Sequence, residues 1–281
     1  MSNTYRSIFI SDVHLGTKDC KANQLNNFLK HNTCNTLYLV GDIIDAWKIK
    51  QNKWRWKQSH SNVVRRILGH AKRNTEVIYV LGNHDEFLRP YLQYGLNFGM
   101  IKITNQCEHV GADGQHYLVV HGDFFDGITR LAPWLSILGD KAYDAVLSCN
   151  TRINSILHRM GFGYFSLSLY LKRRVKKAVD FMFQFEENLA NHCKKKGYDG
   201  VICGHIHHAE IKTINGVTYM NDGDWVESCT ALVEHHDGRW EIITWTQEND
   251  HVVDDIDSGP RKRSKGYSGQ DNTAISDSAT V

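Results

Sequence analysis

Five short apolar runs, SIFI, TLYLV, VIYVL, YLVV and GVIC, each stop abruptly against polar residues: Ser11-Asp12, Gly41-Asp42, Gly82-Asn83, His121-Gly122 and Gly204-His205. Runs of this length, apolar throughout, read as strands buried on both faces. Between the first three lie stretches of helical apolar spacing, at 24–28 and 63–72, so the first half alternates strand and helix as an α/β unit does. In open α/β sheets the loops at the carboxyl ends of the strands meet along one rim, where ligands bind. A buried strand that ends on carboxylates and imidazoles is therefore expected to deliver them to a shared site.

The delivered residues are of metal-ligand type. SDVHLG supplies Asp12 and His14, GDIID supplies Asp42 and Asp45, and GNHD supplies Asn83, His84 and Asp85; HGD adds His121 and Asp123, and GHIHH adds His205, His207 and His208. Asp12 and His14 are two apart, as are His205 and His207, a spacing that in extended chain points both side chains the same way. Oxygen and imidazole donors without thiolate suit Mn²⁺, Fe²⁺ or Zn²⁺ in five- or six-coordinate sites. Each motif alone is ordinary: Gly-Asn is turn chemistry, and a solitary histidine is more often a core residue than a ligand. Five motifs in one order, each closing an apolar run, point to a metal centre.

The rest of the chain sets the frame. EIKTIN, GVTYMN, TALVEHH and RWEIITW, joined by short turns, read as an antiparallel meander, and 124–200 as a helical insertion without strand signal. In that insertion Leu171, Val175, Ala178, Met182, Phe185 and Leu189 recur at steps of four and three and line one helix face. The catalytic domain is expected over 1–248, followed by a disordered tail at 249–281 where apolar residues thin out. A net charge of +2 gives no sign of nucleic-acid binding, and seven scattered cysteines without a C-x-x-C pair fit a reducing cytoplasm. No stretch approaches the roughly 18 apolar residues of a membrane span, and no signal-peptide core precedes SIFI.

The ordered set D-x-H, G-D-x-x-D, G-N-H-D, H-G-D and G-H-x-H resembles the signature of the calcineurin-like metallophosphoesterase superfamily over about 5–245. That resemblance implies an α/β fold, a four-layer α/β/β/α sandwich with a helical cap insertion and two divalent ions, Mn²⁺ first and Fe²⁺ or Zn²⁺ as alternatives. Asp12, His14, Asp42 and His207 would hold one ion; Asp42, Asn83, His121 and His205 would hold the other. His84 would donate to the phosphoryl group or leaving oxygen, oriented by Asp45.

The short start, GDIIDAW, the insertion after HGD and NDGDWVES look most similar to the bacterial UDP-2,3-diacylglucosamine pyrophosphatase branch, which forms UMP and 2,3-diacylglucosamine 1-phosphate in lipid A synthesis. The branch carries arginine at the position of His84, glutamate at that of Asp45, and HRP where this chain reads His207-His208-Ala209. A soluble nucleotide, phosphodiester or phosphoprotein substrate, and a noncatalytic scaffold, are the alternatives. Lys172, Lys176 and Lys177 are candidate contacts to a substrate diphosphate, against the plainer reading of a solvated face. A basic amphipathic helix also allows peripheral contact with the inner membrane surface. The KWRW stretch reads as an exposed loop with locally packed tryptophans, and MNDGDWVES as a turn beside the rim.

Overall fold

Apolar side chains alternate between two destinations along every central strand. The computed structural model describes residues 3–125 and 167–245. The elements are β1 (Asn3–Ile10), α1 (Ala22–His31), β2 (Asn32–Val40), α2 (Trp47–Lys50), α3 (Gln58–Lys72), β3 (Glu76–Val80), a 3₁₀ helix (Glu86–Tyr94), β4 (Asn97–Phe98), β5 (Ile101–Thr104), β6 (Gln106–Val110) and β7 (His116–Val120). A short 3₁₀ turn (Asp123–Phe125) follows, then α4 (Leu167–Lys196), β8 (Gly200–Cys203), β9 (Glu210–Ile214), β10 (Val217–Asn221), β11 (Thr230–Glu234) and β12 (Trp240–Thr244). The strands form a sheet of order β12-β11-β1-β2-β3-β5-β4 and a second of order β6-β7-β8-β10-β9.

Because successive strand residues face opposite sides, Ile8, Ile10, Leu37, Leu39, Val77 and Tyr79 pack with α1 and α3, while Phe9, Tyr38, Val40, Ile78 and Val80 face the second sheet. There they meet Tyr117, Val119, Ile202 and Met220, whose neighbours Leu118, Val120, Val201 and Cys203 face outward onto α4. Three apolar layers therefore separate four structural ones, the sandwich that the resemblance implies. Strands buried on both faces are what the unbroken apolar runs encode.

Helix α4 contributes Phe185, Leu189, Ala190 and Cys193 to the outer layer, so that part of the apolar stripe serves packing, and Phe183 stays exposed. Residues 126–166 of the expected insertion and the expected tail at 249–281 lie outside the described residues.

The later strands are not one meander. β9 and β10 pair antiparallel in the second sheet, with β10 parallel to β8, whereas β11 and β12 pair antiparallel in the first sheet, beside β1. The connection at 222–229 accounts for the split: the Asp224 carboxylate accepts the backbone N–H groups of Val226, Glu227 and Ser228, and fully buried Trp225 anchors the segment against Phe28 in the opposite layer. Strands β4, β5 and β6 have no counterpart in the sequence reading. They are two to five residues long and, except in β5, mostly exposed, so burial writes little pattern into them.

One polar cluster ties the sheets together. Glu234 on β11 is fully buried and accepts from Arg6 on β1 (2.6 Å), from His109 on β6 (2.9 Å) and from the Ala112 N–H (2.7 Å). His109 in turn meets the Tyr38 hydroxyl at 3.0 Å. Burial alone would raise the Glu234 pKa, but His109, Ala112 and Arg6 bring it down from 4.5 to about 2. A depressed carboxylate pKa contributes stability that is present above the unfolded value and lost as pH falls through the folded one. Glu234→Gln is accordingly expected to cost about 3 kcal/mol at pH 7, by taking away the buried negative charge that Arg6 and His109 share, and to remove part of the stability loss seen on acidification from 4.5 towards about 2. Urea unfolding at several pH values checks both.

Candidate metal centre

All five loops reach the same rim, and the described residues contain three groups able to enclose a cation: Asp12, His14 and His207; His14, Asp45 and His84; and Asp42, His121 and His205. Within each, one donor atom per residue lies within 4.8 Å of the others.

The route by which the ligands converge differs from the extended geometry expected of the i, i+2 pairs. Asp12 (φ 49°), His14 (φ 50°), Asp42 (φ 52°), His205 (φ 72°) and His207 (φ 55°) are all left-handed. Such φ values are uncommon outside glycine and persist only where surrounding structure holds them, often at functional sites. Here the holding bonds are visible. The Asp12 and His14 N–H groups donate to Gly41 O (3.1 Å) and Asp42 O (2.9 Å), which locks the first loop to the second. The third is clasped reciprocally: the His84 N–H donates to Asp42 Oδ1 (2.8 Å), while Asp85 accepts from the N–H groups of Ile43 (3.1 Å) and Ile44 (2.9 Å).

Space at the centre depends on small residues. A Cβ on Gly82 would meet the Asp42 carboxylate, and would lie 2.6 Å from the Asp42 N and 2.8 Å from His121 Cδ2. Gly82→Ala is expected to destabilise the fold by about 1–3 kcal/mol, the range for overpacking, and to lower metal content in the same preparation. Thermal unfolding with and without added Mn²⁺ measures both.

Donor orientation fits bound cations. Asp12 Oδ2 accepts from Ser11 Oγ (2.6 Å) and the His205 N–H (2.8 Å), whereas Asp12 Oδ1 is buried without a hydrogen-bond donor, 3.1 Å from His207 Nε2 and 3.8 Å from His14 Nε2. Asn83 Oδ1 is likewise buried and unpartnered. Buried acceptors of this kind are rare unless something positive is meant to meet them. His121 Nδ1 lies 2.8 Å from Val40 O, so an Nδ1–H donates there and Nε2 faces inward, 3.4 Å from Asp42 Oδ1 and 3.3 Å from His205 Nδ1. Asp42 Oδ2 lies 3.9 Å from His14 Nε2, which sets this carboxylate between the two outer groups.

Electrostatics agree with geometry. Burial opposes charge on Asp12 and Asp42, yet the imidazoles hold both well below the usual carboxylate range, His207 and His121 foremost for Asp12 and His121 for Asp42. Reciprocally, burial would lower His14 and His121, but Asp12, Asp45 and Asp42 carry His14 up to about 10, and Asp42, Asp12 and Asp123 carry His121 up to about 10. A buried cluster this rich in carboxylate calls for positive charge at its middle, and paired divalent cations supply it.

His84 stands beside the ligand groups. Its Nδ1 is 3.1 Å from Asp45 Oδ1, its Nε2 is 3.7 Å from Asp42 Oδ2, and its ring is 18% exposed. Asp45, nearly fully buried, is held below the usual range by His14 and His84 against its own burial.

Several supporting residues escape the sequence reading. Ser11 Oγ touches Asp222 as well as Asp12, and burial pushes Asp222 well above the ordinary carboxyl range. One hydroxyl hydrogen between two carboxylates is consistent with Asp222 held as the acid. Trp47 stacks on the His84 ring, with centroids 4.1 Å apart and planes at 29°. Nothing in the pattern distinguished Asp222 from turn chemistry or Trp47 from a helix residue. Trp54 and Trp56 stack on each other at 5.2 Å, and Trp54 covers Gly16, so the KWRW loop packs locally. Of the three candidate lysines on α4, Lys176 is exposed, and the side chains of Lys172 and Lys177 lie outside the described residues.

A family profile described as calcineurin-like phosphoesterase matches residues 5–209. The chain is 27% identical over 119 residues to a UDP-2,3-diacylglucosamine hydrolase of Blochmanniella pennsylvanica, covering 41% of this chain and 46% of that protein. It is 25% identical over 244 residues to the protein so named in Neisseria meningitidis serogroup B, covering 80% of this chain and 92% of the relative. The chain thus spans about half the length of the first and nearly all of the second. A solved structure titled as a novel archaeal phosphodiesterase aligns over 85% of this chain and 98% of its own, at 14% identity and a TM-score of 0.41.

Proposed function

As the chain belongs to the calcineurin-like phosphoesterase family, we propose that it is a dinuclear-metal-dependent hydrolase that splits UDP-2,3-diacylglucosamine into UMP and 2,3-diacylglucosamine 1-phosphate. Asp12, His14, Asp42 and His207 hold one divalent ion, and Asp42, Asn83, His121 and His205 the other, with Mn²⁺ the first choice and Fe²⁺ or Zn²⁺ next. The observation that carries the dinuclear reading is the setting of Asp42, with one oxygen 3.9 Å from His14 Nε2 and the other 3.4 Å from His121 Nε2. Paired divalent ions supply an activated water at neutral pH and neutralise phosphoryl oxygens.

The chain's own residues do the remaining work. Asp45 holds the His84 ring through Nδ1, so that Nε2 faces the substrate and donates to the leaving oxygen as its charge develops. Lys172, Lys176 and Lys177 on α4 meet the diphosphate. The lipid substrate is supported by the names of two relatives at 25–27% identity. Among the described residues no helix is long and apolar enough to cross a membrane. On this reading the protein works in the cytoplasm and meets its lipid at the inner membrane surface through peripheral contact.

A second reading has its own support. His84, Asp45 and His208-Ala209 restore the generic superfamily motif at the positions where the lipid branch departs from it, which favours a soluble nucleotide or phosphodiester. UMP release from UDP-2,3-diacylglucosamine by Mn²⁺-loaded protein decides between them. Absence of UMP alongside cleavage of simple phosphodiesters rejects the lipid substrate and retains the hydrolase.

A further inference from the structure

The His84 imidazole has to be aimed, because its terminal torsion is broad and nearly two-fold, so that a free ring presents either nitrogen to the substrate. The Asp45 contact at Nδ1 restrains one edge of the ring. The opposite constraint comes from Trp47, whose indole covers a face of the imidazole at 4.1 Å and 29°, while His14 meets the ring edge-on at 4.6 Å and 85°. One short piece of chain supplies both the edge and the face contact. The Lys48 N–H donates to Asp45 Oδ1 (3.1 Å), tying the start of α2 to the carboxylate that holds His84, and the Ala46 N–H lies 3.3 Å from His84 O. Trp47 is itself fixed from the far side, its Nε1–H donating to Glu86 Oε1 at 3.3 Å.

We propose that Trp47 is the positioning residue of His84, pinning the imidazole face so that Nε2 stays aimed at the leaving oxygen. This rests on the hydrolase reading above but not on the identity of the lipid. A stack of this kind contributes about as much as a tenfold rate change when its loss frees the ring. Trp47 binds neither metal nor substrate on this view, so its removal acts on kcat and only through His84.

The test compares Trp47→Leu, Trp47→Phe, His84→Ala and the double variant Trp47→Leu/His84→Ala, metal-loaded, on an alkyl phosphodiester and a p-nitrophenyl ester. Trp47→Leu is expected to keep wild-type metal content and KM and to lower kcat about tenfold on the alkyl ester. It should lower kcat much less on the p-nitrophenyl ester, whose leaving group needs no proton. Trp47→Phe should restore most of the rate, and the double variant should be no slower than His84→Ala alone. Multiplying losses in the double variant, a Phe variant as slow as Leu, or a change confined to KM overturns the proposal. Should Trp47→Leu not fold, Trp47→Met carries the same comparison. Histidine-ring NMR supplies a readout without turnover: the His84 ring protons, identified by their absence in His84→Ala, should shift in Trp47→Leu as the indole ring current disappears. If the wild type cleaves neither these esters nor UDP-2,3-diacylglucosamine, the hydrolase reading falls, and unchanged His84 ring signals in Trp47→Leu then overturn the positioning role by themselves.

Discussion

Asp42→Asn should lower hydrolysis about 10³-fold, equivalent to several kcal/mol of lost charge stabilisation, and leave the purified protein with less than its full pair of metal ions. Asparagine is the informative substitution because it removes the charge and keeps the acceptor. Asp42 Oδ1 accepts the His84 N–H at 2.8 Å, and an amide oxygen keeps that bond and the clasp between the second and third loops. What it removes is the negative charge lying between His14 and His121. Urea unfolding of the metal-free variant at pH 7 should show lower stability than metal-free wild type, because the imidazoles that hold the Asp42 pKa down lose their carboxylate, and the gap should narrow as pH falls and wild-type Asp42 takes up its proton, while metal analysis and phosphodiester turnover both fall. A variant that binds two ions as tightly as wild type would dismiss the shared-carboxylate reading. Chelation of the wild type with EDTA, then Mn²⁺ addition, should reproduce and reverse the loss.

What the sequence made legible follows burial. β1, β2, β3, β7 and β8 each carry inward residues on both faces, so their apolar runs could be read directly, and each ends on the residues now found at the rim. β6 shows the opposite case: only His109 is buried in it, and that histidine is held by Glu234 from the other sheet, a partnership between residues 125 apart that no local pattern announces. The site's donor types were legible for the same reason that its geometry was not. Residue types are written in the motifs, whereas the left-handed turns at Asp12, His14, Asp42 and His205 are tied by hydrogen bonds between loops distant in sequence. Likewise, TALVEHH and GVTYMN look alike as strands, and only the Asp224 turn with its buried Trp225 decides that they join different sheets.

His84→Ala should retain both metal ions and lose about 10²-fold or more in turnover, the scale of an acid–base group. The expectation of unchanged metal content rests on position. The carboxylates and imidazoles of the two outer groups are complete without His84, and its ring stands to one side, with Nδ1 3.1 Å from Asp45 Oδ1. The loss should depend on the leaving group. An alkoxide departs poorly without a proton, so alkyl esters and a sugar phosphate should show the full effect, while p-nitrophenolate, already stable as an anion, should show a small one. An equal loss on both would mean that His84 acts on the phosphoryl oxygens instead, as an electrostatic donor to charge that develops whatever the leaving group. His84→Arg separates the roles further, because a guanidinium donates to phosphoryl oxygens but gives up no proton near neutral pH. If it restores p-nitrophenyl turnover and not alkyl turnover, proton donation is the part of the work that belongs to the imidazole.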